Sequence, residues 1–166
     1  MSIKLIGRQF RDVLAYLPCV KDPVLRDSHG SEERIKNDAH KLLLAMPRTA
    51  FTPDGEEILI HNLQQGSLKE RAIHLVTNDR WKTIDRKKVR TVHLVQHTLE
   101  QAAFRLIDRK EGTVLYVARY TPELIHCVVV KIKKHPPSPE GITGYLITQF
   151  PYETGGRQDY FQVGWA

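Results

Sequence analysis

The chain has 166 residues, of which 41% are hydrophobic, 27% charged and 8% aromatic. This composition excludes a disordered tail, and the length fits one domain with a core of its own. Lys and Arg outnumber Asp and Glu by 25 to 19, so the net charge of +6 favours a polyanionic partner. Cys19 and Cys127 are far apart and form no C-x-x-C motif, so we expect two free thiols in a reducing compartment.

The first residues, Met1 to Arg8, lack the apolar run and the small-residue cleavage site of a secretion signal. No stretch of about 18 uninterrupted apolar residues occurs that would span a membrane. We therefore expect a cytoplasmic protein, or one delivered to the cytoplasm of a target cell, with no membrane partner.

The N-terminal part predicts helices and one hairpin. Apolar residues at spacings of three and four predict a short helix within Ile3–Leu17, and Ser31 is a suitable N-cap for a second helix to about Met46. The turn sequence Thr52-Pro-Asp-Gly55 predicts a small hairpin, because proline presets φ and glycine accepts a positive φ. We expect residues 1–66 to be an extension of the main domain.

Residues 67–166 predict helices followed by a sheet. Ser67-Leu-Lys-Glu70 matches a capping box and starts a helix to about Thr77, and a second helix is expected to end near Gln101. Four strand-like segments with short connections then predict an antiparallel meander: 103–107, 113–120, 125–134 and 142–150. The expected fold is α+β, with helices packed on a four-stranded antiparallel sheet, either as a domain of its own or as one compact unit with residues 1–66.

Side chains alternate along the third of these strands. His126, Val128, Val130 and Ile132 share one face, whereas Cys127, Val129, Lys131 and Lys133 share the other. His126 and Lys131 therefore face one groove only if a bulge intervenes. Lys131 and Lys133 fit a phosphate-binding strand and a solvated strand end equally well, and for His126 a half-buried structural role is the alternative to catalysis.

The densest basic cluster precedes the second helix of this half. It consists of Arg80, Arg86, Lys87, Lys88 and Arg90, with Trp81 as a base-stacking surface. Cations at a helix N-terminus oppose the macrodipole, so local helix stability does not explain them and a nucleic-acid-binding patch does. An exposed helix start without function is the alternative.

Metal chemistry is not indicated by the motifs. His93 and His97 have the i, i+4 spacing of two zinc ligands, but the glutamate of H-E-x-x-H and a third ligand are missing. No phosphate-binding glycine loop or G-x-S-x-G elbow is present. We expect neither a metal nor an organic cofactor.

The second half of the chain resembles a nuclease family. A helix with His74-Leu-Val is followed by a basic segment, by Thr98-Leu-Glu-Gln, and by strands with His126-Cys-Val-Val-Val-Lys and Ile142-Thr-Gly-Tyr-Leu-Ile-Thr148. This order of elements is similar to that of the nucleases grouped with barnase, EndoU, colicin RNases and RelE. The resemblance covers Ser67 to Tyr152. It applies especially to the phage-encoded and effector-borne members of this group.

This resemblance implies a toxin-like endoribonuclease that cleaves RNA, often transfer RNA, to a 2′,3′-cyclic phosphate without a metal, and a cognate inhibitor protein as a further partner. It points to His74 and Thr148 as catalytic residues, with Arg119 or Lys131 binding phosphate. With the residue-based candidates added, the catalytic set is His74, His126, Thr148 and Arg119. The nucleic-acid-binding set is Lys131, Lys133, Arg86, Lys87, Lys88, Arg90, Tyr145 and Trp81.

Two functions of other classes remain open from the sequence. A non-catalytic nucleic-acid-binding module would use the same basic surface and leave the nucleic acid intact. A protein-interaction effector would dock an acidic partner on that surface.

Overall fold

The structure, a computed structural model, describes residues 29–63, 66–78, 83–108, 112–132 and 142–153. Several predictions lie outside these ranges: the helix expected within residues 3–17, the tail from 154 onward, Cys19, Arg80, Trp81 and Lys133. The elements are α1 (Glu32–Ala45), β1 (Thr49–Phe51), β2 (Glu57–Leu59), α2 (Leu68–Val76), α3 (Arg86–Thr91), a 3₁₀ turn (Val92–Leu94), α4 (Val95–Gln101), β3 (Phe104–Asp108), β4 (Thr113–Arg119), β5 (Leu124–Ile132) and β6 (Ile142–Glu153).

The helix starts follow the capping signals in the sequence. Ser31 and Ser67 accept hydrogen bonds from the amides of Arg34 and Glu70, both at 3.2 Å, which satisfies donors that have no partner within the helix. Asp85 caps α3 in the same way. Helix α3 starts at Arg86, within the basic cluster that was expected to precede the helix. A 3₁₀ turn separates α3 from α4, so the single predicted helix is in fact two short helices.

The α+β class is confirmed, but the sheet is larger than expected. It contains six strands in the order β1-β2-β6-β5-β4-β3. The four C-terminal strands pair antiparallel as predicted. The hairpin of β1 and β2 adds to them through β2, which runs parallel to β6, so the four-stranded antiparallel sheet is corrected to a six-stranded mixed one. This pairing satisfies the edge of β6 that would otherwise lack partners.

All described helices pack on one face of the sheet. The main core lies between them and includes Ile35 and Leu43 of α1, Leu75 of α2 and Val128 and Val130 of β5. Because residues on both sides of position 66 share this cluster, α1 and the hairpin pack with the remaining elements. A second cluster, around Leu115, Val117 and Cys127, lies on the opposite face.

The sheet curls toward the helices. Four strand spacings separate β2 from β3, roughly 19 Å in a flat sheet. Nevertheless Glu56, at the end of the β1–β2 turn, accepts hydrogen bonds from Arg105 of β3 and from Tyr116 of β4, the latter at 2.7 Å. The Arg105 Nε atom is also 3.5 Å from the Asp54 carboxylate. We call these four residues the hairpin clamp.

No helix among the described residues combines the length and the apolar character that crossing a bilayer requires. The longest, α1, has 14 residues and carries acidic side chains in its first turn.

Candidate functional site

Lys88 is the centre of the candidate site, and it is buried although the sequence places it in a run of surface cations. Its side chain is only 6% exposed. The Nζ atom donates to the carbonyl oxygens of His74 and Thr77, at 3.1 and 2.8 Å, and to Thr148 Oγ1 at 3.0 Å. The two carbonyls belong to the C-terminal end of α2, where a cation is favoured by the helix dipole.

Lys88 therefore does not reach solvent-exposed phosphates as a side chain of the basic cluster should. This is a correction to its predicted role, and its cause is the direction in which α3 faces. Lys88 and Thr91 lie on the buried side of α3, whereas Arg86, Lys87 and Arg90 are exposed. The short basic run thus divides into one structural cation and three surface cations.

Thr148 lies next to a β-bulge on β6. Val129 of β5 is opposite Thr148 and Val130 is opposite Leu146, so Ile147 is the extra residue. An ammonium group has no acceptor, so the Thr148 oxygen accepts from Lys88 and the hydroxyl proton of Thr148 remains to be donated to another group. The positive charge beside the oxygen makes that hydroxyl a stronger donor.

Two residues of α2 contact this part of the molecule, Arg71 through its side chain and His74 through its backbone carbonyl. The Arg71 Nη2 atom donates to the carbonyl of Ile147 at 2.9 Å, immediately before Thr148. His74 is three positions after Arg71 and thus on a neighbouring part of the same helix face, and its carbonyl binds Lys88. Arg71, His74, Lys88 and Thr148 are named the β6-edge site. Arg71 was missed from the sequence, although its i, i+3 spacing to His74 was a usable signal.

A buried hydrogen-bond network lies under the β6-edge site. His126 is fully buried, with its Nδ1 atom 2.6 Å from Thr98 Oγ1 and its Nε2 atom 2.7 Å from Gln149 Oε1. Gln149 Nε2 donates to the carbonyls of Leu75 and Lys88, at 2.7 and 3.0 Å, and Thr91 Oγ1 donates to Gln149 Oε1. Gln149 was not singled out from the sequence.

Burial sets the charge state of His126. Desolvation lowers its pKa to about 4, against the opposing effect of the hydrogen bond to Gln149. His126 is thus neutral at pH 7, and no part of it is exposed to a substrate. Its predicted catalytic role finds no support in this geometry, which makes it a structural histidine.

The network continues toward the surface on the other side of His126. The Tyr120 hydroxyl is 2.9 Å from Thr98 Oγ1 and 2.9 Å from His97 Nδ1. Burial raises the pKa of Tyr120 to about 12, so the phenol stays protonated. His97, considered from the sequence as a zinc ligand with His93, instead bonds to Tyr120.

The other predicted residues are dispersed. Arg119 donates to the carbonyls of Thr121 and Pro122 in the β4–β5 turn, at 3.3 and 2.7 Å. Lys131 is paired with Tyr145 on the sheet face away from the helices. The structure therefore joins Lys88 to Thr148 and to the backbone carbonyl of His74, but it does not bring Arg119, Lys131 or Tyr145 to them.

The hairpin clamp is a second polar cluster that the sequence did not reveal. Two carboxylates, Asp54 and Glu56, surround the single cation Arg105, so the cluster carries net negative charge. Burial and the nearby Glu56 carboxylate raise the pKa of Tyr116, which stays protonated and donates to Glu56. A net negative cluster repels phosphate, so we assign the clamp to holding the hairpin against β3 and β4.

Within the described ranges, no group of three His, Cys, Asp or Glu side chains is placed to hold a metal ion. Comparisons of the chain with protein-family models, curated proteins and solved structures return no match.

Proposed function

We propose that this protein is a metal-independent ribonuclease whose reacting groups are those of the β6-edge site. The observation that carries the proposal is the 3.0 Å hydrogen bond from Lys88 Nζ to Thr148 Oγ1 beside the end of the helix that carries His74. The family resemblance points to His74 and Thr148 as catalytic residues. Lys88, which contacts both, belongs to the predicted nucleic-acid-binding set.

Each group has a role that its chemistry permits. His74 exchanges a proton with the reacting oxygens of the RNA, a function for which imidazole is suited near neutral pH. Thr148 donates its hydroxyl proton to a phosphoryl oxygen, and Lys88 strengthens that donation through its positive charge. Arg71 adds a second cation at the place where the transition state gains negative charge.

The substrate reaches the site along the exposed cations of α3. Arg86, Lys87 and Arg90 are exposed, and no acidic residue is present in the first turn of this helix. The Arg86 Nη1 atom also donates to the Gly30 carbonyl at 3.1 Å, which joins α3 to the start of α1. Their charge attracts a phosphate backbone, and transfer RNA is the substrate that the resemblance favours.

The experiment is cleavage of total RNA in EDTA, followed by analysis of the fragment ends. We expect 2′,3′-cyclic phosphate ends from the parent. His74→Asn should lower the rate by about a hundredfold or more, as for loss of an acid–base group. Thr148→Val keeps the shape of the side chain and should lower the rate by about tenfold. The matched control is His40→Asn, a histidine of α1 that is not part of the β6-edge site. Equal rates for all four proteins contradict the proposed site.

A second candidate function, binding of nucleic acid without cleavage, is favoured by a separate observation. The three exposed cations of α3 stand on a helix whose inner side, Lys88 and Thr91, is anchored to β6. A rigid basic helix of this kind binds phosphates whether or not a reaction follows.

Salt dependence distinguishes this function. Intact RNA retained at low salt is the expected result if no cleavage occurs. Replacing Arg86, Lys87 and Arg90 by Ser should reduce the slope of log K against log salt by about 2 for single-stranded RNA, at ~0.7 per phosphate contact. The control replaces Lys36 and Lys41 of α1 by Ser. An equal change of slope in the control would place the binding surface elsewhere.

A further inference from the structure

The hydrogen-bond network beneath the β6-edge site has a fixed direction. Gln149 Nε2 contacts two carbonyl oxygens, so the carboxamide nitrogen is the donor there and Oε1 is the acceptor on the other side. Oε1 therefore accepts from Thr91 and from the N–H at Nε2 of His126. His126 is accordingly the Nε2–H tautomer, and its Nδ1 atom accepts from the Thr98 hydroxyl.

Gln149 joins the two helices that form the β6-edge site. One of its acceptors is the carbonyl of Lys88 itself, and the other is the carbonyl of Leu75, the residue after His74. Gln149 is also the residue after Thr148 on β6. A single carboxamide thus contacts the backbone of α2 and of α3, next to His74 and at Lys88, from the strand position that follows Thr148.

We propose that His126 is a positioning residue: its Nε2–H group orients the Gln149 carboxamide, which holds Lys88 in register with Thr148. The consequence for catalysis rests on the proposed ribonuclease function, whereas the consequence for the Lys88–Thr148 contact does not. In this role His126 never touches the substrate, which agrees with its complete burial.

A space-filling role and a positioning role make different demands on position 126. A space-filling role requires only volume, which an apolar side chain opposite Ala118 would also supply. Positioning requires a donor at the place of Nε2, since Gln149 Oε1 would otherwise lose one of its two donors and rotate. A substitution that keeps the donor is therefore expected to act differently from one that keeps only the volume.

The test compares His126→Gln, whose side-chain amide offers a donor near the Nε2 position, with His126→Leu, which offers none. The first readout is the NMR signal of the Lys88 ammonium, whose protons we expect to exchange slowly with water because the group is buried and makes hydrogen bonds to His74, Thr77 and Thr148. The second readout is kcat and KM for RNA cleavage, and urea unfolding shows that each variant is folded.

We expect His126→Leu to broaden or shift the Lys88 signal and to lower kcat by about tenfold with KM unchanged, since small displacements of reacting groups are costly. His126→Gln should restore both. An unchanged Lys88 signal in folded His126→Leu, or equal losses in both variants, overturns the proposal. If His126→Leu does not fold, Thr91→Val, which removes the other donor to Gln149, is read by the same criteria.

The two readouts separate the two proposals. If the parent protein does not cleave RNA, the ribonuclease function fails, and the Lys88 signal alone decides whether His126 positions the ammonium. If the parent cleaves RNA and the Lys88 signal is unchanged in His126→Leu, the ribonuclease function is supported and the positioning role of His126 is wrong.

Discussion

Acid should weaken the fold through His126. In the folded protein desolvation holds the pKa of this imidazole at about 4, whereas the ordinary value of 6.5 applies to the unfolded chain. Well above pH 6.5 the residue is neutral in both states, so it does not contribute to the change of the unfolding free energy with pH. Between pH 6.5 and 4 the unfolded state binds more protons than the folded one, so stability falls as the pH is lowered.

The size of this effect follows from the same two values. The interval from 6.5 to about 4, at 1.36 kcal/mol per pKa unit, corresponds to about 3 kcal/mol of unfolding free energy lost by pH 4. The charge of the neighbouring His93 adds to the lowering of the pKa, and the hydrogen bond to Gln149 opposes it. A loss of this size is a large part of the stability of a domain this long.

Urea unfolding at several pH values between 7 and 4 measures the effect in the parent and in His126→Gln. Carboxylates contribute equally to both proteins, so the difference in unfolding free energy isolates His126. We expect this difference to shrink by about 3 kcal/mol from pH 7 to pH 4. Parallel pH profiles for the parent and His126→Gln would contradict the lowered pKa of the buried His126.

Three further outcomes are expected from single substitutions. Lys88→Met leaves Thr148 and two carbonyls without their donor and should lower the unfolding free energy by about 2–3 kcal/mol in urea; a loss below about 0.5 kcal/mol would contradict the buried ammonium. Gly144→Ala places a Cβ atom 2.7 Å from the Lys131 carbonyl oxygen, so it should cost about 1–3 kcal/mol in thermal unfolding, and an unchanged Tm would argue against this close approach. Arg105→Met leaves Glu56 without its cation, so the amides of β1 and β2 should exchange faster with deuterium, whereas identical exchange would remove the hairpin clamp as a stabilising element.

Local signals in the sequence identified most of the elements. Ser31 and Ser67 start helices because their hydroxyls satisfy the first amides, and alternation in β5 placed His126 and Val128 on one face as observed. These features depend on neighbours within a few residues. The same locality explains the hairpin at Gly55, whose φ of 81° suits glycine.

Long-range features could not be predicted in this way. Nothing near β2 in the sequence indicates a parallel partner in β6, and the charge of Glu56 does not reveal that a curled sheet brings Arg105 to it. Lys88 is an intermediate case. Its spacing to Thr91 and Val95 places it on the buried side of a helix. However, four of the five residues from Arg86 to Arg90 are cations, and such a run predicts an exposed basic patch.

The parallel pairing of β2 with β6 also determines when the sheet can close. Leu59 and Tyr145 are partners, yet the ribosome adds Tyr145 more than eighty residues after Leu59. At ~5–20 residues per second, roughly 4–17 s pass between the synthesis of Leu59 in β2 and that of its partner Tyr145 in β6. Over that interval the edge of β2 lacks its partner, so we expect slower synthesis of residues 60–145 to prolong the exposure of this edge to other chains.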